Sequence, residues 1–302
     1  MTPAPELIVD ARAALGECPL WCERSATLTW TDIEGRTLTR WHEADGRLRT
    51  WALPDRVGSF AMCESPSMLL LGLASGIALY NLDTEVLGNV VRVEADNPIT
   101  RINDGRCDRQ GRFVFGMFAP GRDLQPSGHF YRGNFYRVDA HLNVERLPLP
   151  AAVVANSIAF SPDGSRMYFT DTPTRQIMCC DYFDYGRIGT PRLFKELPDS
   201  EGFPDGSTVD AEGGLWNAQW RGGCVVRYDP QGRVSDRIAL PASQVTCPAF
   251  GGTRLDRLYA TTARVTLADG QLATEPHAGG VYAVATHHRG LPEARFATDA
   301  RP

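Results

Sequence analysis

The chain has 302 residues and a formal net charge of −5 at pH 7, a length that suits one all-β domain better than two large ones. No basic block and no basic–aromatic interleaving concentrates positive charge, which argues against nucleic acid as a partner. No apolar run approaches the roughly 20 residues a spanning helix needs, and Met1-Thr-Pro-Ala-Pro-Glu6 has neither a cationic n-region nor an apolar core; the expected setting is cytoplasmic, with no membrane partner.

In chain order, the first β-prone text is Glu6-Leu-Ile-Val9, a leading strand expected to pair into the last unit around Arg295-Phe296. Six units follow, beginning near Glu17, Ser59, Asn103, Asn156, Asp205 and Cys247, spaced 42 to 53 residues apart, the period of a four-stranded propeller blade. After a short leading segment and a turn comes an apolar strand, as in Leu28-Thr-Trp30, Phe113-Val-Phe115, Met167-Tyr-Phe169 and Leu215-Trp216. A further strand carries an aromatic near its end: Leu38-Thr-Arg-Trp41, Gly76-Ile-Ala-Leu-Tyr80, Asn134-Phe-Tyr-Arg137, Cys224-Val-Val-Arg-Tyr228 and Gly280-Val-Tyr-Ala283. Pro and Gly punctuate the chain, and apolar positions alternate or form short runs, so helical periodicity is weak. The predicted fold class is all-β, a six-bladed β-propeller with four-stranded antiparallel blades, spanning residues 1–302 as one domain. Pairing of the leading strand into the last blade would remove an exposed edge. The third unit is long because it contains Ala119 to Gly128, a polar insertion of the kind that covers a site.

Four units share a register. Glu17, Asn103, Asn156 and Asp205 each lie five residues ahead of a turn: Cys22-Glu-Arg-Ser25, Asp108-Arg-Gln-Gly111, Ser161-Pro-Asp-Gly164 and Asp210-Ala-Glu-Gly213. If the units are equivalent in space, these side chains point at one centre. Two carboxylates and two amides there suit a hard divalent cation and a polar ligand. Any one Asn or Asp before a turn is more simply a cap for it, but Glu17 is a poor turn-former. Asp104 and Gly206, directly after Asn103 and Asp205, read as turn residues without chemistry. Arg101 lies two residues before Asn103 and would face the same side of a strand, where it could anchor an oxygen-rich ligand. Asp171 and Thr172 read as structural hydrogen-bonding residues, and Trp21, Trp30 and Trp216 as blade core.

Other chemistries find less support. No histidine holds the register position, which argues against a His-rich zinc site. Cys18 and Cys22 have the wrong spacing for half a zinc knuckle, and without an export signal the eight cysteines read as buried thiols. A Gly-x-Ser-x-Gly elbow is missing from the sequence.

The ordered motifs resemble the SMP-30/gluconolactonase family of six-bladed propellers, which includes regucalcin and bacterial sugar lactonases. They run Leu15-Gly-Glu-Cys-Pro-Leu-Trp21, Arg101-Ile-Asn-Asp-Gly105, Asn156-Ser-Ile-Ala-Phe-Ser-Pro-Asp-Gly164, Tyr168-Phe-Thr-Asp-Thr-Pro-Thr174, Phe203-Pro-Asp-Gly206 and Pro248-Ala-Phe-Gly-Gly252, and cover essentially the whole chain. The resemblance implies one divalent metal on Glu17, Asn156 and Asp205, substrate contacts from Arg101 and Asn103, and Asp205 as general base in opening an aldonolactone to its sugar acid. Oxygen ligands accept calcium, magnesium, manganese, iron(II) or zinc. Many relatives carry acidic residues after the third-unit strand where this chain has Gly116-Met-Phe-Ala-Pro-Gly121, which leaves the loop through His129 to supply those contacts. The competing readings are a calcium-binding regulatory protein without required catalysis, a hydrolase of organophosphates or other esters at the same metal, and an interaction scaffold; the last leaves Glu17 unexplained.

Overall fold

The computed structural model describes residues 3–97, 99–119 and 131–298. After β1 (Glu6–Val9), the first sheet is formed by β2 (Gly16–Cys22), β3 (Thr27–Asp32), β4 (Thr37–His42) and β5 (Leu48–Ala52). The second contains β6 (Val57–Met62), β7 (Met68–Leu73) and β8 (Gly76–Asn81), with the short β9 (Val86–Leu87) and β10 (Val91–Arg92) both pairing with β8. The third runs β11 (Arg101–Cys107), β12 (Phe113–Phe118), β13 (Phe135–Val138) and β14 (Val144–Arg146), and the fourth β15 (Ala155–Phe160), β16 (Arg166–Asp171), β17 (Gln176–Asp181) and β18 (Arg192–Glu196). The fifth is β19 (Phe203–Val209), β20 (Leu215–Trp220), β21 (Cys224–Tyr228) and β22 (Val234–Ala239). The sixth joins β23 (Val245–Gly251), β24 (Arg257–Thr262) and β25 (Val281–Ala285) to β1, with α1 (Asp269–Thr274) between β24 and β25. These antiparallel sheets are the six blades of a β-propeller.

The blades fall into two compact units. Met1–Pro54 with Phe194–Glu293 holds the first, fifth and sixth blades, and Asp55–Leu193 with Ala294–Pro302 holds the second, third and fourth. In the first unit, β1 pairs with β25, matching Glu6 to Ala283 and Val9 to Val281. The leading strand therefore enters the last blade, but not at the expected partner. Phe296 instead forms a parallel bridge to Cys63 in the second unit, where it is wholly buried. Its ring fills a cluster with Leu70, Ile102, Phe113 and Phe115, so apolar burial, rather than an open edge, decides where that segment docks.

Burial grades across each blade. The first strands are buried on both faces, β6, β15 and β23 along their whole length. The outermost strands are short, charged and mostly exposed, as in Val144-Glu-Arg146 and Val234-Ser-Asp-Arg-Ile-Ala239, which protects the sheet edges from further pairing. The strands read from their aromatics are the third ones, where Tyr136, Tyr228 and Tyr282 sit.

All six first strands carry a bulge. The register shifts by one residue between Glu17 and Leu20, Val57 and Ser59, Ile102 and Gly105, Asn156 and Ala159, Pro204 and Ser207, and Val245 and Pro248. An extra residue interrupts the ladder and turns a side chain away from the alternation of the strand. Asp104 and Gly206 lie within these bulged strands, not in turns as the sequence suggested. Gly206 is required by close approach: a Cβ there would stand 2.5 Å from Cys247 Sγ and 2.9 Å from the Thr246 carbonyl oxygen. Overpacking of this kind strains buried backbone. Gly206→Ala is expected to lower the free energy of unfolding by about 2 kcal/mol, read from denaturant unfolding; an unchanged midpoint would show that β19 and β23 have room to separate.

Candidate functional site

Within the second unit, three of the residues singled out by the sequence form one chain of hydrogen bonds. Arg101, at the start of β11 and 5% exposed, donates from Nη1 to the Ile102 carbonyl at 3.1 Å and to Asn103 Oδ1 at 2.8 Å. Its guanidinium lies over the Phe118 ring, 4.6 Å from the centroid, a face that favours a planar cation. Asn103 passes the order on, its Nδ2 donating to the Ala155 carbonyl and to Asn156 Oδ1, both at 3.0 Å. Asn156, 4% exposed, donates from Nδ2 to Thr172 Oγ1 at 3.0 Å. With its amide nitrogen held by Thr172, Asn156 has a fixed carbonyl end. That oxygen has two lone pairs, of which Asn103 takes one.

Asp104 ties the same two strands together. Its Oδ2 accepts from Ile158 N at 2.8 Å and its Oδ1 from Gly105 N at 2.8 Å. Burial pushes this carboxyl up to about 6, against the downward pull of the Ile158 amide, the Arg106 charge and the Gly105 amide. Asp171 accepts from Val153 N and Val154 N at 3.0 Å each and pairs with Arg132 at 2.9 Å, a structural role. Thr172, by contrast, touches Asn156. The insertion at residues 120–130, including His129, lies outside the described residues.

Within the first unit, Glu17 and Asp205 sit at the bulges of β2 and β19, and both strands pack against β23. Glu17 is half-buried, with Cys18 N donating to its Oε2 at 3.3 Å. Asp205 is 5% exposed, and its carbonyl oxygen accepts from Asn217 Nδ2 at 3.0 Å. The four register positions divide in backbone terms. Glu17 and Asn156 are still paired and are followed by residues in the left-handed region, Cys18 at φ 49° and Ser157 at φ 58°. Asn103 and Asp205 each come one residue after the last pair and have no such follower. Left-handed non-glycine residues store strain and gather at functional sites. The remaining two units place Ser59 and Cys247 at their bulges, both buried.

Among the described residues, one further group brings carboxylates and a histidine together: Asp210, Glu212 and His288, with ligand atoms within 4.8 Å of one another. Its charges are already matched. Asp210 Oδ2 accepts from Trp216 Nε1 at 2.8 Å and Arg227 Nε at 2.7 Å, while Arg227 Nη2 meets Glu212 at 3.0 Å. His288 spans Glu212 at 3.0 Å and Asp236 at 3.2 Å. A guanidinium in the midst of the group makes it an ion-pair network bracing the fifth blade and opposes a second cation there. Trp21, Trp30 and Trp216 are buried core, and all eight cysteines are buried free thiols.

The chain matches the SMP-30/gluconolactonase/LRE-like region over residues 15–264. It belongs to that family. It is 48% identical to an L-arabinolactonase of Azospirillum brasilense, over 98% of this chain and 96% of that protein. It is 36% identical to a 6-deoxy-6-sulfogluconolactonase of Pseudomonas putida, over 98% of this chain and all of that one. Its structure is similar to that of the calcium-binding protein regucalcin from Agrobacterium tumefaciens, with TM-score 0.90 and 32% identity over 98% of this chain and 97% of that one.

The raised Asp104 carboxyl gives a pH prediction with a definite sign. Its folded value of about 6 lies above the ordinary 3.8, so between these values the folded state holds more protons and stability falls as pH rises. In metal-stripped protein, Asp104→Asn should remove that fall, gaining on the parent by on the order of 2 kcal/mol from pH 4 to pH 6.5. A pH-independent difference between the two unfolding curves would contradict it.

Proposed function

We propose that this protein is a metal-dependent sugar lactonase that opens an aldonolactone to its aldonic acid, with Glu17, Asn156 and Asp205 holding one divalent cation. The observation that carries this reading is the fixed carbonyl of Asn156, set by Asn103 on one side and Thr172 on the other, at the same bulge register as two carboxylates. Two anionic oxygens and one oriented amide oxygen fit a hard divalent ion and leave positions for water and substrate. When bound, the cation would polarise the lactone carbonyl and stabilise the oxyanion that forms on it.

The chain's own residues account for the rest. Arg101 and Asn103 would hold the ring oxygens of the lactone; the guanidinium is already braced by Phe118 and by Asn103 itself, so little ordering entropy remains to be lost on binding. Asp205 would take a proton from the attacking water as the water oxygen bonds to the carbonyl carbon. As the ring C–O bond breaks, that proton passes to the departing oxygen, which becomes the new hydroxyl. The product carboxylic acid then ionises and releases one proton to solvent.

The substrate class is a pentono- or hexonolactone, and the similarity to an L-arabinolactonase makes a pentonolactone the first choice. In this reading the whole chain acts as a single domain. No helix among the described residues is long and apolar enough to cross a membrane, and a cytoplasmic setting is part of the proposal. The test is acid release in a pH-stat across arabinono-, xylono-, galactono- and gluconolactones, each with several divalent metals. Asp205→Ala should lose at least about 100-fold in kcat while keeping its unfolding transition. Turnover at the parent rate in that variant would overturn the assignment, and metal binding without turnover on any lactone would favour a calcium-binding role like that named for regucalcin.

A further inference from the structure

Beside the carboxylates of the first unit lies a polar cavity of about 340 Å³, lined by Arg221, Ser243, Gln244, Thr266, Leu267 and Gln271. Its position follows from the strand ends. Gln244 immediately precedes β23 and bridges Trp220, the residue paired with Phe203 two places before Asp205. Gln244 also accepts at its carbonyl from Ala263 N at 3.0 Å, and the next residues, Arg264 and Val265, donate to the Ala14 carbonyl at 3.0 and 2.9 Å. Ala14 lies three residues before Glu17. The cavity therefore opens at the same end of the first, fifth and sixth blades as Glu17 and Asp205.

Its lining is chemically unfinished. Gln244 is 1% exposed, and its Nε2 donates to Thr266 Oγ1 at 3.0 Å, but its Oε1 meets no donor among the described residues. Whichever way the amide is set, one of its polar atoms is left over. A buried amide oxygen without a donor costs stability, about 1–3 kcal/mol in mutational terms, and so calls for a ligand hydroxyl or water. The buried Ser243 Oγ is likewise unmatched, while its backbone N–H is held by Glu275 Oε2 at 2.6 Å. Arg221 supplies the charge. It is exposed, held at φ 62° in the turn after β20, and forms no ion pair among the described residues.

We propose that this cavity binds a polyhydroxylated carboxylate, the chemical class of an open-chain sugar acid. The Arg221 guanidinium takes the carboxylate, for which its planar fork is matched, and Gln244 Oε1 with Ser243 Oγ takes the hydroxyls. A neutral lactone would leave Arg221 unanswered; the hydroxy acid answers all three groups. The inference rests on the lactonase reading only in its biological sense, that the acid is the product leaving the centre next door.

The test is calorimetric titration of L-arabinonate into the full-length protein, with arabinitol and acetate as probes that each lack one half of the recognised group. Arabinonate should bind more tightly than either. Arg221→Asn, which tolerates the left-handed backbone, should weaken it at least about tenfold, and Gln244→Leu should weaken arabinonate and arabinitol together. Binding should persist in Asp205→Ala and after metal removal. No binding of arabinonate, or binding lost in Asp205→Ala and untouched by Arg221→Asn, would overturn the proposal. Arg221-dependent binding in a protein that opens no lactone would uphold the cavity and remove only the lactonase reading.

Discussion

One extra residue in the first strand of every blade is the constraint on which the rest of the structure depends. A strand buried on both faces has nowhere to aim a carboxylate without leaving it in apolar surroundings. The bulge breaks the alternation and gives Glu17, Asn103, Asn156 and Asp205 a direction that regular pleating would not. The same device recurs at Ser59 and in the strand holding Cys247, where the side chains are small and carry no charge. The bulge thus recurs in all six first strands, and what differs from strand to strand is the side chain it carries and the backbone around it.

Much of this was legible in the sequence because it depends on short-range spacing. The distance from the bulge to the turn is nearly constant, so a five-residue count located the register without any structure. Third strands were readable from their aromatics, which pack inward; outermost strands such as Val144-Glu-Arg146 were not, since exposed edges are under no apolar pattern. Two misreadings share a cause. Asp104 and Gly206 look like turn residues by type, but their roles are long-range: one carboxylate accepts from Ile158 on the next blade, and one missing side chain makes space for Cys247. The docking of Phe296 against Cys63 also depends on residues far apart in sequence. Gln244 gave no local signal, because its importance lies in a donor it lacks.

The Asp210 cluster and the hydrogen-bonded chain from Arg101 to Asn156 show why proximity alone does not make a metal site. Around Asp210, every nearby charge has a partner: Arg227 serves Asp210 and Glu212, and His288 spans Glu212 and Asp236. Such a network is worth most as a brace, and opening it would leave a buried charge uncompensated. Along Arg101, Asn103 and Asn156, hydrogen bonds instead orient an amide carbonyl and leave it acceptor capacity. Orientation without neutralisation is what a ligand-binding centre requires.

The central claim, that broken symmetry at the bulges builds one metal centre, is tested most directly by titrating metal-stripped protein with manganese(II) and counting sites. The account predicts a single site, weakened at least about tenfold by each of Glu17→Gln, Asn156→Ala and Asp205→Asn and unchanged by Glu212→Gln. A site that survives all three substitutions and disappears with Glu212→Gln would place the metal on the Asp210 cluster and contradict the account.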